Sequence, residues 1–147
     1  MKNDLVFDAT NLILGRLSSV AAKQLLLGKR VTIVNAEKTV ISGSRKYILE
    51  RAKKHLETRT LGAQSKAPKH PRKPELIIRR TVRGMLPFSK PIGKMAFRRL
   101  KVYTAVPEDL KGYKIESIPK AKVTKGIKCL VISEVAKNIG WKSAEEN

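Results

Sequence analysis

Cysteine, histidine and aromatic residues are scarce in this 147-residue sequence, which has one cysteine, two histidines and only 5% aromatic residues. A single cysteine, Cys129, cannot form an internal disulfide, and together with His55 and His70 it lacks the spacing of a zinc site. Cys129 lies in the apolar run 129–132, so we expect a buried side chain rather than a reactive thiol. These absences exclude a disulfide framework and predict that no metal is bound.

Long hydrophobic runs are also missing. The longest stretch without a charged residue is Ala9–Gly15, seven residues, whereas a membrane-spanning helix needs about 20 apolar residues. Residues 1–8 contain two acids and no apolar run of the kind found in a signal peptide. We therefore expect a cytoplasmic protein without a membrane partner.

Acidic residues are few: 12 acids oppose 32 lysines and arginines, which gives a net charge of +20. Residues 45–101 alone hold eighteen basic and three acidic side chains, net +15, while the segments on either side are nearly balanced. Apolar residues still make up 41% of the chain, enough for a hydrophobic core. A folded chain of this charge needs an anionic partner, and nucleic acid is the commonest one.

Hydrophobic patterns predict alternating strands and helices, and hence the α/β class. Residues 5–9, 16–27 and 31–34 read as strand, helix and strand, a unit whose two strands lie parallel. The later segments are predicted as strand 39–42, helices 44–58, 75–84 and 89–100, strand 101–104, an apolar segment 127–132 and helix 133–139.

Several finer features of these helices are also predicted. Gly28 and Gly140 are placed to end helices, and Ser89 and Ser133 to cap the starts of helices. The predicted apolar faces of the two helices in the basic segment are Ile78, Val82 and Met85 in one, and Ile92, Ala96 and Leu100 in the other.

The turn after the first strand, residues 10–16, occupies the position where doubly wound folds bind phosphate. It contains one glycine, where a dinucleotide site needs three, and no Gly-Lys-Ser/Thr sequence. We therefore predict no cofactor and no small-molecule substrate. Arg16, at the start of the following helix, remains a candidate for contact with an RNA phosphate.

Arginines and lysines recur on one side of each helix in the middle segment. Arg79, Arg80 and Arg83 are spaced three and four residues apart, so their like charges repel unless phosphates lie between them. The next helix repeats the pattern with Lys94, Arg98 and Lys101, flanked by Arg99. The low aromatic content disfavours base stacking, so this surface predicts backbone-dominated recognition of folded, double-stranded RNA.

Between the helices, residues 60–74 contain three prolines in seven residues and cannot form regular structure. The basic side chains of this loop are Lys66, Lys69, His70, Arg72 and Lys73. We interpret it as an extended cationic arm that inserts between RNA helices, since proline lowers the ordering entropy lost on binding; the alternative is a plain linker. His70 has no nearby nucleophile or orienting carboxylate in the sequence pattern, so we predict no catalytic residue.

Other functions remain as alternatives. An RNA-modifying or nucleotide-dependent enzyme on an α/β scaffold requires glycine-rich chemistry that the sequence lacks. A DNA-binding or anionic-membrane protein requires a single recognition helix or an in-plane amphipathic helix, and the dispersed charge fits neither.

Four parts of the sequence resemble the L-thirteen family of large-subunit ribosomal proteins. They are Asp8-Ala9-Thr10 with Leu14-Gly15-Arg16-Leu17, Val34-Asn35-Ala36-Glu37-Lys38 with Ser42-Gly43, Val82-Arg83-Gly84-Met85-Leu86-Pro87, and Arg99-Leu100-Lys101-Val102-Tyr103. The likeness runs in order over about residues 5–105. The basic helix before a proline-rich loop and the late Gly140-Trp141 are more similar to the archaeal and eukaryotic branch.

The resemblance implies a three-layer α/β/α fold around a four-stranded, mainly parallel sheet, with basic helical and loop extensions. It also implies a structural constituent of the large ribosomal subunit that supports early subunit assembly, with large-subunit rRNA and neighbouring ribosomal proteins as partners. We expect one ribosomal protein domain over residues 1–147, with an RNA-contact region at about 45–101 and a C-terminal extension at 106–147. The side chains predicted to bind RNA are Arg16, Arg45, Lys46, Lys66, Lys69, His70, Arg72, Lys73, Arg79, Arg80, Arg83, Lys90, Lys94, Arg98, Arg99 and Lys101.

Overall fold

The computed structural model describes residues 4–58, 60, 62–110, 112–113, 115–124 and 126–142. Residue 61 of the predicted arm and residues 143–147 of the predicted C-terminal extension lie outside this range. The helices and strands in chain order are β1 (Asp4–Asp8), α1 (Leu14–Leu26), β2 (Arg30–Val34), β3 (Val40–Ser42), α2 (Arg45–Glu57), α3 (Pro74–Gly84), α4 (Pro91–Arg98), β4 (Leu100–Val102), β5 (Ile115–Glu116), β6 (Cys129–Val131) and α5 (Ile132–Asn138).

Four strands form a parallel sheet in the order β4-β2-β1-β5. The pairing of β1 with β2 confirms the predicted parallel strand–helix–strand unit, and Gly28, at φ +87°, lies just beyond α1 as expected. The α/β class and the four-stranded sheet are therefore confirmed. The fourth member, β5, is only two residues long and had no hydrophobic pattern to predict it.

One face of the sheet carries the main hydrophobic core. Phe7 pairs with Ile33, and Ile33 pairs with Val102, so these side chains lie in a row across three strands. Helices α1, α3 and α4 pack on the same core through a set of buried side chains: Leu17, Ala21, Leu25, Ile78, Val82 and Ala96. Val6, the neighbour of Phe7 on the opposite face, is also buried, so both faces of β1 are covered.

A second, two-stranded sheet pairs β3 with β6 in antiparallel fashion, and a smaller core of Ile48, Leu130 and Val135 lies beneath it. Along β6 only Leu130 is buried, while its neighbours Cys129 and Val131 are exposed. The prediction of a buried Cys129 is therefore wrong. Successive residues of β6 point to opposite sides of the strand, so Leu130 faces this core while its two neighbours face outward.

Three details of the helices also differ from prediction. Ile92 and Met85, predicted on apolar faces, are 59% and 42% exposed. The inward side of α4 is formed by Gly93 and Ala96, which places Ile92 on the outer side, and Met85 follows the last residue of α3. Neither predicted serine cap is present, because α4 begins after Lys90 and α5 begins after Val131.

Candidate nucleic-acid interface

Most side chains predicted to bind RNA lie at the surface. The exposed ones are Arg16, Arg45, Lys46, Lys66, Lys69, Arg72, Lys73, Arg80, Arg83, Lys90, Lys94, Arg98 and Lys101. Three are partly buried: His70, Arg79 and Arg99. These side chains fall into groups that differ in what they contact within the protein.

Two arginines of α3 lie over aromatic rings. The guanidinium of Arg83 is 4.1 Å from the centre of the Phe88 ring, and that of Arg79 is 5.2 Å from the Phe97 ring. The two rings meet edge to face, 5.6 Å apart. In this arginine–phenylalanine cluster the rings attract the guanidiniums without accepting their N–H donors as a carboxylate would, and a guanidinium forms bidentate hydrogen bonds to phosphate.

The third arginine of α3 is held in another way. Arg80 donates a hydrogen bond from Nη1 to the backbone oxygen of Lys69, at 3.1 Å. Arg80 and Arg83 also line a shallow hollow of about 370 Å³ together with Gly84, Leu86 and Phe88. Two guanidiniums at one concave surface favour binding of a phosphate group.

The spacing of α3 and α4 is set by a close contact at Gly93. A β-carbon added at this position would lie 2.1 Å from the carbonyl oxygen of Pro87 in the turn between the helices. Only glycine allows this approach, which holds the cationic residues of α3 and α4 on one rigid frame.

Part of the proline-rich arm, residues 62–73 in the structure, packs on the protein. Besides the bond from Arg80 to Lys69, the His70 ring lies edge to face with His55 of α2, with centroids 4.1 Å apart. The guanidinium of Arg72 lies beside Gly140, close to the end of α5, where the helix dipole favours a cation. The arm is therefore anchored by three contacts, and Lys66, Lys69 and Lys73 stay exposed on it.

The cations at the start of α2 are paired with acids. Arg45 forms an ion pair with Glu134 of α5, and Lys46 lies 3.9 Å from Glu50 one turn further along α2. Within the described residues, these are the only members of the predicted RNA-binding set found in ion pairs. A phosphate must compete with a carboxylate for both.

Arg99 differs from its neighbour Arg98 in its surroundings. It turns toward α1 and donates a hydrogen bond from Nη2 to the backbone oxygen of Leu25 at 2.9 Å, while its Nε is buried without a partner in the described part of the chain. The Leu25 carbonyl, at the C-terminal end of α1, also accepts a bond from the Gly28 amide at 3.1 Å, so Arg99 supplies an additional, charged donor there. The geometry gives Arg99 a structural role that the charge pattern alone did not reveal.

The ends of β1 and β2, where α/β folds commonly bind cofactors, contain a hydrogen-bond network. Asp8 accepts bonds from the backbone nitrogen and hydroxyl of Thr10, at 2.9 and 2.7 Å, and from the Asn35 amide at 3.0 Å. Partial burial acts to raise the pKa of Asp8, but these hydrogen bonds and the nearby Lys38 outweigh it and hold the pKa below its ordinary value. The network joins the two sequence strings that begin at Asp8 and Val34.

Within the described part of the chain, no group of three or more potential ligands lies close enough together to hold a metal ion. No described helix is long and apolar enough to cross a membrane.

The sequence pattern does not reveal the two phenylalanines that hold the arginines of α3. Phe88 follows the Leu86-Pro87 turn, and Phe97 lies in α4 near the level of Arg79. The low aromatic content gave no reason to assign these rings a role, although both lie within a few residues of an arginine in the sequence.

Comparison with known proteins identifies the family. The family model described as Ribosomal protein L13 matches residues 2–109, more than half of the chain. The chain belongs to the Ribosomal protein L13 family. This membership places it among ribosomal proteins rather than among enzymes.

Curated relatives of this L13 family member extend the match over nearly the whole chain. The large ribosomal subunit protein uL13 of Archaeoglobus fulgidus is 46% identical over 140 residues, which cover 93% of this chain and 88% of the relative. The proteins of the same name from Methanosarcina barkeri and Aeropyrum pernix are 45% and 40% identical over 93% and 97% of this chain, and over 98% and 94% of their own lengths. All three organisms are archaea, which agrees with the branch that the sequence resembled.

Proposed function

We propose that this L13 family member is a structural constituent of the large ribosomal subunit that binds large-subunit rRNA through α3, α4 and the arm, supports early subunit assembly and acts in the cytoplasm. The single observation that carries this proposal is the arrangement of α3, where three arginines are held by rings and a backbone oxygen rather than by acids.

Holding three arginines close together has an electrostatic cost in the free protein. Clustered cations repel one another, and an unpaired cluster is stabilised when phosphates approach it. The structure holds Arg79, Arg80 and Arg83 in place without neutralising them, so little ordering entropy is lost when RNA binds. Neighbouring large-subunit proteins are the proposed second class of partner, and one domain over residues 1–147 is proposed to carry all of these contacts.

The first experiment is sedimentation of a cell lysate through a high-salt sucrose gradient. We expect the protein in the large-subunit fraction. Its absence from that fraction, with other large-subunit proteins present, would contradict the proposal.

The second experiment measures binding of the purified chain to large-subunit rRNA over a range of salt concentrations. If about eight phosphates are neutralised, log affinity plotted against log salt has a slope of about −7. A slope near zero would show that the basic surface is not the interface.

A further inference from the structure

A half-open cavity lies where α2, α3, α5 and the arm meet; it shares Arg80 with the hollow beside Phe88 and otherwise lies apart from that hollow. Its volume is about 370 Å³, within the range typical of small-ligand sites. The floor is aliphatic, formed by the side chains of Ile48, Ala52, Ile77, Val135 and Ile139.

Three rings lie at the walls of this cavity: Tyr47, His55 and His70. Tyr47 is 59% exposed, which is unusual for a ring on the apolar side of a helix, and the two imidazoles pack edge to face. Both ring nitrogens of His70 are buried and have no hydrogen-bond partner among the described residues. These atoms have almost no accessible surface even with the cavity empty, so the His70 ring contributes its face and edge to the wall rather than a free hydrogen-bonding atom.

The charged side chains that line the cavity favour a ligand with negative charge. Arg51 and Arg80 both line it, and no acid does within the described residues. Burial, together with His70, Arg80 and Arg51, lowers the pKa of His55. A neutral imidazole both donates and accepts hydrogen bonds and offers its face for stacking.

We infer that this cavity binds one unstacked nucleobase of the RNA, with Arg51 and Arg80 contacting the phosphates on either side. The inference rests on the proposed rRNA binding and deepens it. The rings and aliphatic side chains that line the cavity suit the apolar faces of a base, its two arginines suit the flanking phosphates, and single-stranded bases are recognised by this combination.

The first test uses the full chain labelled for NMR at histidine and tyrosine rings. It is titrated with the four nucleoside 5′-monophosphates and with ribose 5-phosphate, which has the same sugar and phosphate but no base. We expect saturable shifts at Tyr47, His55 and His70 with at least one nucleotide and none with ribose 5-phosphate. Equal shifts from both would show a phosphate site only and overturn the inference.

A matched pair of variants tests the cavity itself. Ala52→Leu adds aliphatic bulk inside it without changing charge, and Ala105→Leu makes the same change at an exposed position in the chain segment after β4. Thermal unfolding establishes that both are folded; if Ala52→Leu is not, Ala52→Val replaces it. We expect the cavity variant, but not Ala105→Leu, to abolish the nucleotide-induced shifts; shifts that survive in it would overturn the inference.

Binding to large-subunit rRNA separates this inference from the proposed function. Losing one base contact should weaken affinity about tenfold in Ala52→Leu while leaving the salt slope unchanged. If the wild-type chain binds rRNA with a steep slope and Ala52→Leu binds equally well, the nucleobase site is wrong and the proposed function stands. If the wild-type chain does not bind rRNA, the proposed function fails, and the nucleobase site as part of an rRNA interface fails with it.

The competing occupant is an aliphatic side chain of a neighbouring protein. N-acetyl-leucinamide serves as its probe in the same NMR titration. If it shifts the three rings and no nucleotide does, the cavity is a protein-docking site and the nucleobase inference is wrong.

Discussion

The cations at the start of α2 and those of α3 carry similar charge in the sequence but differ in what holds them. Arg45 and Lys46 face carboxylates, whereas Arg79 and Arg83 face phenyl rings and Arg80 contacts a backbone oxygen. An exposed ion pair contributes little to stability but partly neutralises the field around it. A guanidinium over a ring keeps its full charge and its N–H donors. The two groups differ by only one cation, and their contacts show why α3 is the stronger candidate for binding phosphate.

The largest expected effect comes from removing the three arginines of α3. The triple variant R79A/R80A/R83A should weaken binding to large-subunit rRNA by about 100-fold, since each charge-assisted contact contributes about 1 kcal/mol or more. Its salt slope should be shallower by about 3. The double variant R45A/K46A serves as the control and should lose less than about fivefold, because its side chains must first leave their acids. Equal losses in the two variants would remove the distinction, and filter binding at several salt concentrations measures both.

The frame that holds the α3 cations is tested at two glycines of the same segment. Gly93→Ala should lower the free energy of unfolding by about 3 kcal/mol, because the new methyl group collides with the carbonyl oxygen of Pro87. Gly84→Ala is the control: a β-carbon there meets nothing within 4 Å, so the change should be neutral or stabilise α3 by up to about 1 kcal/mol. Urea denaturation followed by circular dichroism gives both values. A Gly93→Ala variant as stable as wild type would show that the turn between α3 and α4 is pliable.

Arg98 and Arg99 provide a comparison at adjacent positions. Arg99→Ala should destabilise the fold by about 2 kcal/mol, since it removes a charge-assisted hydrogen bond between β4 and the end of α1. Arg98→Ala, at an exposed position, should change stability by less than about 0.5 kcal/mol and should weaken RNA binding instead. Stability and affinity measured on both variants separate the roles. The assignment fails if the two effects fall on the opposite residues.

The smallest expected effect is on how the stability of the fold depends on pH. Because the pKa of Asp8 is lower in the folded chain than its ordinary value of 3.8, Asp8 contributes stability above that value and loses it as the pH falls further. Asp8→Asn should therefore be less stable than wild type at neutral pH, and the difference should shrink on acidification through that range. Asp4→Asn, which removes an exposed carboxylate at the other end of β1, controls for the change in net charge. Urea titrations at several pH values measure the trend, and a difference between Asp8→Asn and wild type that stays constant with pH would contradict it.

The sequence predicted the parts of the fold that depend on local pattern. The period of apolar residues gave β1, α1, β2 and all of the later helices to within a few residues, and Gly28 marked the end of α1. It did not predict β5, because a two-residue strand is created by its neighbour β1 rather than by its own composition. It placed Cys129 in the interior, because an apolar run does not reveal which side of its strand faces the core.

The same limit applies to the candidate site. Spacing correctly grouped Arg79, Arg80 and Arg83 on α3, but the rings that hold two of them come from the following turn and helix. The inward turn of Arg99 depends on where α1 ends in space, which no local pattern contains. The cavity beneath the arm brings together side chains from five segments, β3, α2, the arm, α3 and α5, so the meeting of its rings had no sequence signal.

The exposure of Cys129 has a practical consequence. The sequence contains no other cysteine, so a maleimide dye should attach at one defined position on β6, with one label per molecule. Cys129 pairs in register with Ser42 and lies on a strand separate from α3 and α4. A fluorophore there would report the arrival of this protein on its target in real time, from single-molecule recordings or stopped-flow anisotropy, without altering the cationic helices.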